Sequence, residues 1–198
     1  DVYKSQGYDT RVDSKKYAEL SAKVIQSNGI ESVLSETAIP TPIISHHIKN
    51  SNKIGGIIIT ASHNAKNWNG FKIRSENGMS FGNKEIIEVE KGVRYYEKNI
   101  SDIKLDEKKN IKTENILNSY IDDLNKVVDL NLIKSSNIKI SVDYMHGAVS
   151  GVLEKILSKD NIFLRSEFDP TFPGMVQPEP IGKNLKLLSQ TINDNKCL

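Results

Sequence analysis

The chain has 198 residues, of which 37% are hydrophobic and 26% are charged, and its formal net charge is +2. This composition is typical of a folded globular protein and excludes a disordered chain, while the small net charge argues against a nucleic-acid-binding surface. Cys197 is the single cysteine, which excludes an internal disulfide and a multi-cysteine metal site. No apolar run approaches the ~20 residues that cross a bilayer and no signal peptide is recognisable, so we expect a cytoplasmic protein.

The first half of the chain alternates predicted helices and strands. Apolar residues recur at helical spacing over residues 13–29 and 85–99, and Thr41 followed by proline predicts the start of another helix. Short runs rich in β-branched residues predict three strands, over residues 31–35, 54–60 and 71–74. Strands separated by helices are typical of an α/β fold with a largely parallel sheet.

The second half repeats this rhythm after a polar stretch. Residues 101–114 are rich in charge and show little periodicity, which favours a linker. Further helices are predicted over residues 116–128, 149–157 and 184–193, and further strands over residues 138–142 and 162–164. We therefore expect two consecutive α/β domains, residues 1–114 and 115–198, each with a mixed, largely parallel sheet flanked by helices.

A cluster of polar residues follows the apolar strand of residues 54–60. Ligand sites in open α/β sheets lie beyond the carboxyl ends of the strands, so Ser62 and His63 stand where a reactive group would be exposed. The Asn69-Gly70 pair predicts a tight turn, which returns Lys72 towards the same loop on the next strand. A serine, a histidine and a lysine are thus expected within one small region.

These residue types suit phosphoryl transfer. The Ser62 hydroxyl can carry a phosphoryl group covalently, and His63 can donate a hydrogen bond or move a proton near neutral pH. Lys72 can activate the serine or neutralise phosphate charge. Asn64 and the loop N–H groups can hold an anion. The alternative is an ordinary polar loop, which spacing alone does not exclude. No Gly-x-Ser-x-Gly elbow, Walker loop or Gly-x-Gly-x-x-Gly motif is present, which disfavours an α/β-hydrolase nucleophile and nucleotide binding by those routes.

Residues 55–73 closely resemble the active-site segment of the α-D-phosphohexomutase superfamily, through Thr-Ala-Ser-His-Asn followed by Asn-Gly-x-Lys. That superfamily includes phosphoglucomutase, phosphomannomutase and phosphoglucosamine mutase. Further stretches resemble its other motifs in the same order, namely residues 7–11, 39–42, 142–148 and 172–185. The resemblance therefore spans nearly the whole chain.

The resemblance implies that the activity interconverts hexose 1-phosphate and hexose 6-phosphate, of glucose or mannose. Ser62 would be carried as phosphoserine and would pass its phosphate through a bisphosphorylated sugar. Lys72 would act as a general acid/base or stabilise charge, and His63 would support the phosphoserine and the sugar hydroxyl. Arg11 would add positive charge near the transferring phosphate. Asn64 and Asn69 are further candidates for binding substrate or phosphate.

The resemblance also implies a metal and a set of partners. A phosphoserine oxygen on Ser62 would bind Mg²⁺, while the family's remaining ligands lie in an Asp-Gly-Asp-x-Asp-Arg loop that does not occur in residues 1–198. Ala65 stands where the family usually has proline. The implied partners are hexose phosphates, hexose 1,6-bisphosphate and C-terminal domains of the same protein, with neither nucleic acid nor a membrane.

Two other functions stay open from the sequence. We expect this stretch alone to be inactive, as the N-terminal part of a mutase. A truncated, non-catalytic paralogue that binds a sugar phosphate is the first alternative. A serine-dependent phosphatase or hydrolase is the second, and it would require transfer to water to outpace transfer to a sugar.

Overall fold

The computed structural model describes residues 3–197, and its first part is built on a five-stranded sheet. The strands lie in the order β4-β3-β1-β2-β5, with β4 antiparallel to β3 and the other pairs parallel. Their bounds are Tyr3–Tyr8 for β1, Glu31–Ser35 for β2, Gly55–Ile59 for β3, Phe71–Ser75 for β4 and Lys112–Glu114 for β5. The predicted fold class, a mixed and largely parallel sheet, is confirmed.

The central strand, β1, was not anticipated from the sequence. Ser5 and Gln6 are fully buried within it, and Ser5 is paired in register with Val33 on one side and Gly56 on the other. A strand that is enclosed on both edges and both faces usually consists of apolar residues. Because β1 carries polar side chains at its centre, neither alternation nor an apolar run marks it as a strand.

Helices cover both faces of this sheet. Helix α1 (Ser14–Ser27) buries Ala18 and Ala22, and Ala18 packs in a cluster with Ile57 and Ile59 of β3. Helix α2 (Thr41–Asn50) packs on the opposite face, where Ile58 completes its cluster. Successive side chains of a strand point to opposite faces, so the run of three isoleucines supplies both cores. A third helix, α3 (Asn83–Lys98), contributes no buried residue.

The second part contains a parallel strand pair, β6 (Ser141–Asp143) and β7 (Ile162–Leu164). Its helices are α4 (Ile116–Leu124), α5 (Leu130–Ser135) and α6 (Lys186–Asn195). Helix α4 packs on α2 and places Ile116 in the core cluster of the first part. The domain boundary after residue 114 stays a prediction.

Two local predictions were wrong. Residues 149–157 do not form an α-helix but turns and a short 3₁₀ helix, Leu153–Lys155, because Gly151 takes a φ of +76° that interrupts a helix. Residues 101–114 are not purely a linker, since Lys112–Glu114 pairs with β2 as the sheet's edge strand. Within residues 3–197, no helix combines the length and the apolar character that crossing a membrane requires.

The two parts meet at the carboxyl end of β1. The buried Thr10 hydroxyl donates a hydrogen bond of 2.9 Å to the carbonyl oxygen of His146, in the turn that follows β6. This bond joins residues that are 136 positions apart in sequence. The strand ends of the first sheet therefore face the turn after β6 across one cleft.

Replacing Ile44 with alanine should lower the free energy of unfolding by about 3 kcal/mol, because truncating a buried isoleucine removes apolar contacts and leaves a cavity. Ile44 is fully buried between α2 and the sheet. Urea denaturation measures the change. The matched control is Ile87→Ala on α3, where the side chain is 52% exposed, and its change should stay within about 0.5 kcal/mol. Equal losses in the two variants would contradict this core assignment.

His47 should make stability depend on pH. It is 4% exposed, and burial lowers its pKa below the ordinary value of 6.5 although Glu114 acts in the opposite direction. The folded state thus favours the neutral imidazole. Stability should be unaffected above pH 6.5 and fall as the pH drops below it, where the unfolded chain binds the proton more readily. Urea titrations at a series of pH values should show a smaller acid loss for His47→Gln; an unchanged loss would exclude His47 as the source.

Candidate active site

A cleft of about 470 Å³ lies between the carboxyl ends of β1 and β3 and the second part of the chain. From the first part it is lined by residues that directly follow these strands, among them Asp9, Thr10, Arg11, Thr60, Ser62 and His63. From the second part it is lined by the turn after β6 and by Phe172, Pro178 and Pro180. The cleft therefore lies where the strand-end rule for open α/β sheets predicts a ligand site.

Ser62 is presented at the cleft by an unusual backbone conformation. Its φ is +58°, in the left-handed region that non-glycine residues seldom adopt, and its N–H donates to the Thr60 hydroxyl over 3.0 Å. Such conformations are retained where surrounding contacts impose them, often at functional sites. The side chain of Ser62 is consequently exposed, with its hydroxyl 3.3 Å from Nδ1 of His63.

His63 connects the serine to the second part of the chain. Its Nε2 lies 3.9 Å from Oε1 of Glu179, an ion pair when the imidazole is protonated. The imidazole side chain is 58% exposed, and Glu179 is half-buried between two prolines. A serine hydroxyl, an imidazole and a carboxylate thus follow one another across the cleft. His63 thus lies between the serine hydroxyl and a carboxylate, within reach of proton exchange with Ser62.

Arg11 holds the loop that carries Ser62. We call residues 61–70 the serine loop. One terminal nitrogen, Nη1, donates to the carbonyl oxygens of Ala65 and Trp68 over 2.7 and 3.3 Å. The other, Nη2, donates to those of Ser62 and Asn64 over 2.9 and 2.6 Å. Four carbonyl groups of one loop therefore converge on a single guanidinium.

The carboxylate of Asp9 balances the charge of Arg11. Its side chain is 1% exposed, and Nε lies 3.2 Å from Oδ2 of Asp9. Burial lowers the pKa of Arg11, while the charge of Asp9 and its hydrogen bond to Arg11 raise it. The terminal N–H groups donate to carbonyl oxygens of the serine loop and Nε lies beside Asp9, so these contacts hold the loop in shape. The expected contact with a transferring phosphate stays a prediction.

Asn69 closes the other end of the serine loop. Its side-chain N–H donates to the carbonyl oxygen of Val12 over 2.8 Å, and its Oδ1 lies 2.7 Å from the buried hydroxyl of Ser14. The next residue, Gly70, permits a close approach, because a Cβ there would lie 2.6 Å from the Thr60 carbonyl oxygen. The amide of Asn69 is therefore engaged in fixing the loop, and its binding of phosphate stays a prediction.

The remaining candidates have their side chains outside these contacts. Asn64 is exposed, and it meets Arg11 through its carbonyl group. Lys72 is paired with Ile58 in the register of β4 and β3, and directly opposed residues of an antiparallel pair share a face. Ile58 lines the cleft, so Lys72 lies on the cleft side of the sheet, although it is not itself among the lining residues. Within residues 4–197, no side chain forms a hydrogen bond or ion pair with Lys72.

Sequence reasoning assigned no role to two residues of the second part. Phe172 is 2% exposed, and its ring centroid lies 5.4 Å from the guanidinium carbon of Arg11. Glu179 faces His63 from the same proline-rich stretch. The density of proline in residues 170–180 was visible in the sequence, but nothing in it indicated which strand end the stretch would meet.

The described residues do not fit a metal site by themselves. Among residues 3–197, no group of three or more histidine, cysteine, aspartate or glutamate side chains is placed to hold an ion. Divalent magnesium needs several oxygen ligands in octahedral arrangement. Ser62, if phosphorylated, would supply one oxygen. The expected Mg²⁺ therefore stays a prediction, and no chemical step is derived through it.

Two family models match the chain in order. The model described as phosphoglucomutase/phosphomannomutase, alpha/beta/alpha domain I, matches residues 6–99. The corresponding model for alpha/beta/alpha domain II matches residues 118–198. Together they cover every residue of the cleft named above.

Individual proteins agree with these matches. A phosphoglucomutase/phosphomannomutase of Thermococcus kodakarensis is 30% identical over 183 residues, which cover 91% of this chain and 39% of the relative. A protein described as a phosphoglucosamine mutase of Methanosphaera stadtmanae is 31% identical over 190 residues, 94% of this chain and 41% of the relative. A solved structure described as a phosphomannomutase of Thermus thermophilus is 26% identical and superposes with a TM-score of 0.77. The match covers 96% of this chain and 43% of the chain in that structure. The chain thus spans about two fifths of the length of these relatives.

Replacing Arg11 with lysine should lower the free energy of unfolding by about 2 kcal/mol, because an ammonium group cannot reach four carbonyl groups in one plane. The donor that these carbonyl groups would lose is buried, because the Arg11 side chain is 1% exposed. Urea denaturation measures the loss. Arg94→Lys on α3 is the matched control, since Arg94 is exposed and pairs with the exposed Glu90; it should change stability by less than about 0.5 kcal/mol. An Arg11→Lys variant as stable as this control would contradict the role of the four contacts.

Proposed function

Because the chain belongs to the phosphoglucomutase/phosphomannomutase family, we propose that the full-length protein transfers a phosphoryl group between the 1- and 6-hydroxyls of a hexose, with Ser62 as the carrier. The observation that carries the proposal is the Ser62 hydroxyl, exposed at the cleft on a loop that Arg11 fixes through four carbonyl groups. A rigid loop with an exposed hydroxyl suits a covalent carrier, which must meet the substrate in a defined geometry.

The proposed transfer needs no reactant other than the phosphorylated serine and the sugar phosphate. In the first half, an oxygen of the sugar hydroxyl bonds to phosphorus as the bond between phosphorus and Oγ of Ser62 breaks. The hydroxyl loses its proton and Oγ of Ser62 gains one, which leaves a bisphosphorylated sugar and a free serine. In the second half the other phosphate returns to Ser62. Glucose and mannose phosphates are the proposed substrates.

We assign a separate role in this transfer to each residue around Ser62. His63, whose Nδ1 lies 3.3 Å from the hydroxyl, is proposed to give or accept the proton of Oγ. Glu179 lies 3.9 Å from the other ring nitrogen of His63 and is proposed to orient the imidazole towards the serine. Lys72, on the cleft side of the sheet, is proposed to neutralise phosphate charge or to act as the acid/base for the sugar hydroxyl. Mg²⁺, when bound through the phosphoserine, would supply further charge neutralisation.

Ser62→Ala in the full-length protein should lower the mutase turnover number by at least about 10³-fold, because the acceptor oxygen is missing. Activity is measured as conversion of glucose 1-phosphate or mannose 1-phosphate to the 6-phosphate. Circular dichroism should show an unchanged fold, since the side chain is exposed. Ser21→Ala is the matched control, a serine of α1 whose exposed hydroxyl bonds to Tyr17 of the same helix, and it should retain wild-type turnover. Retained turnover in Ser62→Ala would contradict the carrier assignment.

A further inference from the structure

The guanidinium of Arg11 is covered by an aromatic ring from the second part of the chain. The ring centroid of Phe172 lies 5.4 Å from the guanidinium carbon, within the range of a cation–π contact. Phe172 is 2% exposed and Arg11 is 3% exposed, so the contact is dry. A cation–π contact is worth most when it is desolvated.

The ring and the carbonyl groups use different parts of the same guanidinium. A guanidinium donates its hydrogens in its own plane, where four carbonyl groups of the serine loop accept them. Its face carries no hydrogen-bonding group, and an aromatic ring is a favourable cover for that face. Phe172 therefore complements the loop contacts without competing with them, and it covers the guanidinium that makes these part-buried hydrogen bonds.

The position of Phe172 is set by the second part of the chain. The ring belongs to a buried cluster with Met145 and Met175, against which Leu185 packs. Its backbone takes a φ of +48°, and its carbonyl group accepts from the N–H of Met175 over 3.0 Å. A left-handed phenylalanine is held only where its surroundings impose that conformation. The packing of this cluster therefore holds the Phe172 ring against the Arg11 guanidinium.

We propose that Phe172 is a positioning residue for the serine loop, acting through Arg11. Through it, the second part of the chain controls how firmly the loop presents Ser62 in the cleft. The inference rests on the proposed function where turnover is concerned, because only then does loop order affect the transfer. The physical claim, that the ring orders the loop, holds whatever reaction the serine performs.

The serine loop contains its own reporter. Trp68 is the single tryptophan of the chain, it is 59% exposed, and its carbonyl oxygen accepts a hydrogen bond from Arg11. Its fluorescence anisotropy and its quenching by acrylamide therefore report on the loop alone. Hydrogen exchange of peptides over residues 60–70, followed by mass spectrometry, measures opening of the same segment.

Phe172→Leu should speed hydrogen exchange over residues 60–70 by about 10-fold, since losing a desolvated cation–π contact favours opening of the loop by that factor. Quenching of Trp68 should rise in parallel. Phe172→Tyr, which keeps the ring, should restore both values towards the wild type. Leu185→Ala is the matched control, because it weakens the same core cluster without touching Arg11. Circular dichroism checks folding of each variant, and Phe172→Met replaces Phe172→Leu if that protein does not fold.

Unchanged exchange and quenching in the ringless variant, or equal changes in Leu185→Ala, would overturn the proposal. In the full-length protein, Phe172→Leu should lower kcat more than it raises KM, because the loop positions the carrier rather than the substrate. Absence of mutase activity in the wild-type protein would contradict the proposed function instead, and the fluorescence and exchange results would still decide the role of Phe172.

Discussion

The serine loop depends on one buried cation. A loop that leaves a strand and folds back within ten residues turns several carbonyl groups inward, and each of them needs a donor. Arg11 supplies donors to four of these groups at once, and Asp9 balances its charge. Burying a guanidinium is costly unless it is paired, and here Asp9 lies beside Nε while both terminal nitrogens donate to carbonyl groups. Ser62 adopts a left-handed backbone within this framework, a conformation that is retained where surrounding contacts impose it.

The cleft is an assembly of two parts of the chain. The first sheet provides Ser62, His63 and Arg11 at the ends of its parallel strands, while the second part provides Phe172 and Glu179. Each of the latter contacts a residue that acts on the serine, one through the loop and one through the imidazole. The position of the Ser62 hydroxyl therefore depends on contacts from both parts of the chain. This arrangement suits the proposed phosphoryl transfer, which requires a defined geometry.

Sequence patterns located short strands that carry adjacent apolar side chains, such as residues 31–35 and 162–164, which match the observed strands. They failed at β1, where Gln6 and its neighbours are polar yet buried, and at Gly151, whose positive φ interrupts a helical pattern. The strand-end rule placed Ser62 in the cleft. The contacts of Arg11 with the serine loop could not be predicted from the sequence. Its partners lie 51 to 57 residues away, and they are backbone carbonyl groups that any sequence would carry.

The central claim, that Ser62 is a covalent phosphate carrier on a preformed loop, is tested most directly by mass spectrometry. The full-length protein would be incubated with glucose 1,6-bisphosphate, digested, and mapped for phosphopeptides. We expect one phosphoryl group, located on Ser62, and its loss when a hexose monophosphate is added afterwards. A protein that stays unmodified, or that carries the phosphoryl group on another residue, would contradict the claim.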